Sequence, residues 1–338
     1  MVPALAVADA LRADGADVVF VGGERAERKM VPAAGYELRP IRVEGLSRTN
    51  PLRAARAALR AAGAVIAARR ILRELRPDAV LGAGGYVAGP VGVAAVLGRV
   101  PMVLAEADSH LGLTNRLLAR WARRVCLAFP ISGRSGSRYL VTGRAVPPPS
   151  TDRAAARRRF GLGDEEACVL VFGGSLGART INEAAVEALP GAPFRVLHAC
   201  GVRDYAALRE RLGSPPPANY DLREYITPFG DALLASDLCV ARSGGSIFEV
   251  ASHGRPAILV PYPHATGDHQ TANARWMEQA GAAVVVPDAQ LTPQRLRTEI
   301  DALLADPARL EAMGRASAAL ARPDAAQRIA EEVLAAAR

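Results

Sequence analysis

Short apolar runs alternate with helical stretches along almost the whole chain, and this alternation constrains the fold most tightly. Strand-like segments at 17–21, 37–43, 78–81, 100–105 and 124–129 are separated by helical stretches at 24–34, 51–76, 88–98 and 111–122. Strands that alternate with helices require a parallel sheet covered on both faces. Pro147, Pro148 and Pro149 interrupt the pattern once, and three consecutive prolines fit neither a helix nor a central strand. Beyond them the alternation restarts at 168–174, and the chain ends in a helical stretch from Pro307 to Arg338. Two doubly wound α/β sheets are therefore expected, with the ligand outside the carboxyl ends of the strands and in the cleft between the two domains.

No run of eighteen apolar residues is present, so no spanning helix is expected. Met1 leads at once into a helical pattern with Asp9 and Asp14, which does not read as a signal peptide. Cys126, Cys168, Cys200 and Cys239 lie more than thirty residues apart; they read as buried thiols of a reducing compartment, with neither metal-ligand spacing nor a disulfide framework. Charge is unevenly placed. Residues 1–150 carry 22 Lys and Arg against 11 Asp and Glu, whereas the remainder carries 20 against 23. A basic N-terminal half points to an anionic partner. Nucleic acid is set aside, because aromatics are few and no recognised module is present.

Five stretches carry chemistry. In 171–184 an apolar strand runs into Gly173, Gly174, Ser175 and Gly177 before a helix. Such a turn suits a diphosphate, since glycines admit it closely and the helix end offers free N–H groups; tight packing is the other reading, and the spacing is not a dinucleotide fingerprint. In 241–254 Gly244, Gly245 and Ser246 precede Glu249, a carboxylate able to hold a ribose diol or simply to favour a helix N-terminus. In 261–283 His269, Gln270 and Asn273 open a helix, and amides suit sugar hydroxyls; Asp268 there also fits an N-cap. In the first half, 82–92 holds five glycines around Tyr86, and 105–116 holds Glu106, Asp108, Ser109, His110 and Asn115. Residues 51–76 contain seven arginines and one acid, which fits either a membrane-surface helix or a sheet-covering one.

Together "PALAVADAL", "GGYVAGP", "LGLTNR", "GGSLGAR" and "DHQTANAR", in this order and spacing, resemble the MurG family over essentially the whole chain. That resemblance implies a GT-B fold: an acceptor and membrane-side domain over 1–146 and a UDP-sugar domain over 147–322. A final helix over 323–338 would pack back on the first domain. It further implies inverting transfer of N-acetylglucosamine from UDP-N-acetylglucosamine to undecaprenyl-pyrophosphoryl-MurNAc-pentapeptide (lipid I), giving lipid II for peptidoglycan, cell shape and division. No metal or other cofactor is implied, and the anionic cytoplasmic membrane surface is the expected location.

By position, Gly174, Ser175, Gly177, Gly244, Gly245 and Ser246 would serve the donor phosphates and their surroundings. Ile226 would lie beside the uracil, Glu249 would take the ribose, and His269, Gln270 and Asn273 would read the sugar. Gly85, Tyr86, Glu106, Asp108 and Asn115 fall on the acceptor side. Asp108 stands where the family has Asn, between donor and acceptor, and is a candidate catalytic residue. The family's Gly-Asn-Pro-Val-Arg, whose arginine lies near the donor diphosphate, is replaced here by Gly143 to Pro147, leaving Arg144 to take that donor-binding role from a shifted position. The Glu249 loop is one residue tighter. The family also opens with a strand and a Gly-Gly-Thr-x-Gly-His loop carrying the presumed base. These would precede Met1, and the expectation is a natural chain longer by about a dozen residues, the alternatives being a UDP-sugar-binding remnant without catalysis or a GT-B transferase with another acceptor.

Overall fold

The computed structural model describes the chain except residues 24–25, 42–50 and 175–177, and except the side chains of 26, 51–61, 86 and 266. It divides into two compact units: Met1–Pro147 with Arg322–Arg338, and Pro148–Ala321.

The first unit begins with α1 (Val2–Ala13), β1 (Val19–Gly22), α2 (Ala26–Ala33), β2 (Glu37–Pro40) and α3 (Pro51–Leu75). It continues with β3 (Val80–Gly82), α4 (Gly85–Gly98), β4 (Met102–Glu106), α5 (Leu113–Leu118), β5 (Arg124–Leu127) and β6 (Tyr139–Val141). All pairings are parallel. They form a two-stranded sheet, β1-β2, and a four-stranded sheet in the order β3-β4-β5-β6. The closing helix α14 (Ala325–Ala337) belongs to this unit. Its Ile329, Ala330 and Val333 pack with Ala6, Val7 and Leu11 of α1 and with Val103 and Cys126 of the sheet.

The second unit holds α6 (Arg153–Arg159), β7 (Cys168–Phe172), α7 (Arg179–Ala188), β8 (Arg195–Ala199), α8 (Tyr205–Leu212) and β9 (Tyr220–Arg223). After these come α9 (Phe229–Ala235), β10 (Leu238–Ala241), α10 (Ile247–Ser252), β11 (Ala257–Leu259), α11 (His269–Gln279) and β12 (Ala283–Val285). Helices α12 (Pro293–Leu304) and α13 (Pro307–Leu320) close it. Its six strands are parallel in the order β12-β11-β10-β7-β8-β9. The chain builds outward from β7 to β9, crosses back through α9, and builds the other half from β10 to β12. The strand order therefore reverses between β7 and β10, where Phe172 lies in register with Ala241.

Three sequence expectations are corrected. The glycine stretch 82–92 is not a loop: α4 already begins at Gly85. Gly84 and Gly85 take φ of +83° and +80° to turn the chain into the helix, a conformation that costs glycine nothing. Gly92 then lets α5 approach so closely that a β-carbon there would lie 2.3 Å from Leu118 Cδ1. Strand β6 was not expected, because three residues inside a Gly-, Ser- and Arg-rich stretch carry no period. The helix expected over 111–122 is shorter, since a 3-10 turn, Ala119–Trp121, follows α5.

Within α3, Ala64, Ala68 and Leu72 are buried against Val80, Val91, Ala94 and Ala95, with Arg69, Arg70 and Arg73 outward. From residue 62 onward it is a sheet-covering helix; its earlier side chains lie outside the described residues.

Candidate active site

In the first unit the site residues gather at the carboxyl end of β4. Glu106 ends this strand and is buried. Its Oε2 accepts from the Gly112 amide at 2.8 Å and from Asn115 Nδ2 at 2.9 Å, and its Oε1 from the Asp108 amide at 3.2 Å. Asn115 Nδ2 also donates to the Ala105 carbonyl at 3.1 Å. One carboxylate thus fastens both ends of the 107–112 loop, and charge-assisted bonds of this kind are among the stronger ones. Asn115 Oδ1 is buried without a partner, an orphan acceptor in a cluster that is otherwise satisfied.

Asp108 stays half-exposed on the loop. Arg144 donates from Nη1 to the Ala107 carbonyl at 3.2 Å, so the shifted arginine reaches the same loop. Gly143, just before this arginine, takes φ +87°, and a β-carbon there would lie 2.6 Å from Arg322 Cβ. Gly85 is exposed at the start of α4. The side chain of Tyr86 lies outside the described residues.

In the second unit the site residues flank the reversal point. Gly174 is exposed, with φ +89°, just beyond β7; Ser175 and Gly177 lie outside the described residues. Beyond β10 the 242–246 turn is tied to α11. Ser243 Oγ donates to the Gln270 carbonyl at 2.7 Å, and Asn273 Nδ2 donates to the Ser243 carbonyl at 2.9 Å. Gln270 Oε1 accepts from the Tyr262 amide at 3.0 Å, which fixes its amide. A β-carbon at Gly244 would sit 3.7 Å from Gln270 Nε2, so the bare turn and the amide face each other. Asn273 Oδ1 is buried and unpartnered.

Gly245, Ser246, Glu249 and His269 are half-buried around this turn. Asp268, at φ +52°, precedes α11 and accepts from Thr271 Oγ1 at 2.6 Å rather than from a backbone N–H. Ile226 is buried after β9. Three residues later the Phe229 ring meets Phe172, the last residue of β7, edge-on at 5.1 Å, which returns this segment toward the reversal point.

Two buried polar devices went unnoticed in the sequence. Arg242 reaches from the end of β10 to the Val260 carbonyl at 3.1 Å and to Asp288, whose other oxygen accepts from Thr180 at 3.4 Å. This joins β10, β11 and the first turn of α7. An arginine directly after the apolar run 238–241 was its only signal. The second device is His198, fully buried on β8. Asn182 Nδ2 donates to the Cys200 carbonyl at 2.9 Å and to Asp204 at 2.8 Å. Its Oδ1 must then accept from His198 Nε2 at 3.0 Å, while Nδ1 accepts from the Tyr220 hydroxyl at 2.8 Å. Burial pushes the His198 imidazole down to about 3. All four cysteines are buried, and burial raises the Cys126 thiol to about 12. Among the described residues, no three His, Cys, Asp or Glu side chains are grouped to hold a metal ion.

Residues 1–127 match the glycosyltransferase family 28 N-terminal domain, and residues 168–329 match the family's C-terminal domain. A protein of Rubrobacter xylanophilus is 42% identical over 340 residues, covering 98% of this chain and 99% of its own. One from Alkalilimnicola ehrlichii is 43% identical over 354 residues, covering 99% and 95%. Both are named UDP-N-acetylglucosamine–N-acetylmuramyl-(pentapeptide) pyrophosphoryl-undecaprenol N-acetylglucosamine transferase.

The chain belongs to the MurG family.

The crystal structure of Acinetobacter baumannii MurG agrees, with a TM-score of 0.78 at 30% identity over 98% of this chain and 95% of that one. The calicheamicin glycosyltransferase CalG4, at 20% identity and a TM-score of 0.68, shares the fold. As a MurG-family protein the chain is a UDP-sugar-dependent glycosyltransferase, built from two Rossmann-like units of the GT-B type. Its Ser243–Gln270–Asn273 knot and its Glu106–Asn115 clamp each stand at strand carboxyl ends, where open α/β sheets bind ligands.

Proposed function

We propose that this chain transfers N-acetylglucosamine from UDP-N-acetylglucosamine to undecaprenyl-pyrophosphoryl-MurNAc-pentapeptide, forming lipid II for peptidoglycan. One observation carries the donor half: the strand order reverses between β7 and β10, and the bare Gly174 and Gly244 turns flank that point. A nucleoside diphosphate belongs there. In this reading the diphosphate meets the turn beyond Gly174, Glu249 takes the ribose diol, and Ile226 lies against the uracil. Gln270, with its amide held by Tyr262, reads the sugar with His269, while Asn273 holds the turn in shape. The 107–112 loop, clamped by Glu106 and steadied by Arg144, receives the acceptor, with Asp108 facing the reaction.

The lipid acceptor brings the protein to the anionic cytoplasmic membrane surface. No helix among the described residues is long and apolar enough to cross a membrane. On the first unit, however, Val93 and Leu97 of α4 and Leu113 and Leu117 of α5 are exposed at i, i+4 spacing, and Trp121 continues the second row. Arg120 stacks 3.8 Å over the Trp121 ring, and Arg116 is exposed nearby. Apolar rows edged by arginine suit a lipid interface.

Calorimetric titration tests the donor site. UDP should bind the wild type and bind the Glu249→Ala and Gln270→Ala variants more weakly, while NAD should give no heat. Tight binding of NAD instead would favour a dinucleotide enzyme. Equal UDP affinity in all three proteins would remove these residues from the site.

A further inference from the structure

In the second unit a polar bridge joins α9 to the end of α10 through residues that lie outside the donor site described above. Its middle is Ser150, close behind Pro148, where this unit begins. Ser150 Oγ donates to Asp231 Oδ1 of α9 at 2.8 Å, and the Ser150 amide donates to His253 Nε2 at 3.1 Å. Because Nε2 accepts from an amide, the proton of the neutral imidazole is on Nδ1. Nδ1 in turn donates to the Glu249 carbonyl of α10 at 2.8 Å. Burial above all, helped by Arg255, holds the His253 imidazole below its ordinary value, against the opposing pull of the Glu249 carbonyl and Asp231. The accepting nitrogen is thereby kept unprotonated at neutral pH. Arg159 pairs with Asp231 at 2.9 Å from the solvent side. The fit is close. A β-carbon at Gly230 would lie 2.8 Å from Ser150 Oγ and 3.3 Å from His253 Nε2, so the glycine in α9 leaves room for both bonds.

What the bridge joins gives it a role. Asp231 stands in the first turn of α9, the helix that follows directly on Ile226 and its uracil-side segment. His253 stands one helical turn after Glu249, the carboxylate assigned to the ribose. The two helices have seven and six residues. Helices this short keep their place through tertiary contacts rather than through their own stability. Uracil and ribose are covalently joined in the donor, so the elements that meet them must hold one spacing.

We propose that Asp231, Ser150 and His253 form a single bracket that sets the spacing between the uracil-side and ribose-side elements, and so act as positioning residues for the uridine half of the donor. This rests on the donor-site reading above and extends it to side chains that touch no ligand atom themselves.

Binding of UDP by calorimetry, and of uridine by displacement of UDP, tests the bracket. His253→Ala and Ser150→Ala should each weaken both ligands about fivefold, the worth of one neutral hydrogen bond. Each cuts the same bridge, so the double variant should lose no more than the weaker-binding single one. Asp231→Asn keeps an acceptor for Ser150 and should bind as the wild type does, whereas Asp231→Ala should match Ser150→Ala. In transfer assays KM for UDP-N-acetylglucosamine should rise while kcat holds. If His253→Ala does not fold, Ser150→Ala and the two Asp231 variants carry the same test. Losses that multiply to about 25-fold in the double variant would make two separate defects and overturn the bracket. So would weaker UDP with unchanged uridine, which would move the effect to the diphosphate. Unchanged affinity with a lowered melting temperature would make these residues structural only and would also overturn it. Weakening of UDP by Glu249→Ala but by none of the bracket variants would keep the donor site and overturn the bracket. A wild type that binds neither UDP nor uridine would overturn both.

Discussion

Replacing Glu106 by Gln separates a clamp from a chemical group. The carboxylate accepts three N–H groups, two at Oε2 and one at Oε1. Glutamine keeps one oxygen. Placed at the Oε2 position it retains Gly112 and Asn115, but its amino group then faces the Asp108 amide, donor against donor. One charge-assisted bond is lost and one N–H is left without an acceptor, a cost of about 1.5–3 kcal/mol. If that cost appears as local opening of the loop, hydrogen exchange at Asp108 should speed by about 10- to 150-fold. Gly112 should change less. The assay is hydrogen–deuterium exchange with mass spectrometry on peptides covering 106–118, alongside transfer kinetics in which KM for the acceptor rises and KM for UDP-N-acetylglucosamine holds. Unchanged exchange with a collapsed kcat would refute the clamp and make Glu106 a group that acts on substrate.

Other outcomes follow from the same geometry. Gly143→Ala should destabilise the first unit by about 2–4 kcal/mol, since it combines a left-handed φ with a contact of 2.6 Å to Arg322; thermal unfolding reads this. Arg242→Met leaves the Asp288 carboxylate with the Thr180 hydroxyl but no cation, between the ends of β10 and β11 and the first turn of α7. A loss of about 2–4 kcal/mol and a raised KM for the donor are expected in denaturation and kinetic assays. For His198 the folded imidazole lies at about 3, below its ordinary 6.5, so the unfolded chain binds the proton that the native one refuses. Its contribution is complete above pH 6.5 and falls about tenfold in folding constant per pH unit from there toward pH 3. Urea titrations across that range should show His198→Gln with a shallower acid slope than the wild type; equal slopes would contradict the assignment.

Much of the architecture was written in local pattern. The runs 168–172 and 238–241 are wholly apolar and lead into turns rich in glycine and serine, the second past Arg242, so the sequence alone places both strand and turn. Strand β6 is not placed this way, because an edge strand of three residues needs no period of its own. The start of α4 was hidden for another reason. Glycines at 84, 85, 89 and 92 look like a loop, yet the first two turn the chain and Gly92 makes room for Leu118.

At the site, residue type was legible but partnership was not. Gln270 and Asn273 were noticed as amides suited to a sugar, whereas the structure joins them to Ser243 and Tyr262. Glu106 and Asn115 were read as two residues of one polar loop; in fact they bond to each other and close it. Arg242, His198 and Asn182 carry no signal in the sequence, because a lone polar residue in a strand or helix shows neither burial nor a partner. Which polar atoms meet is fixed by strand order, and strand order is a long-range property.

The most direct measurement of the central claim is transfer itself. The protein purified from its native cell would be incubated with radiolabelled UDP-N-acetylglucosamine and lipid I in detergent, and the lipid fraction analysed by mass spectrometry. The account predicts a lipid product one N-acetylglucosamine heavier, formed only when both substrates are present, with one UDP released per sugar transferred. UDP-N-acetylglucosamine bound but never passed to lipid I would contradict it and leave a sugar-nucleotide-binding protein without transferase activity.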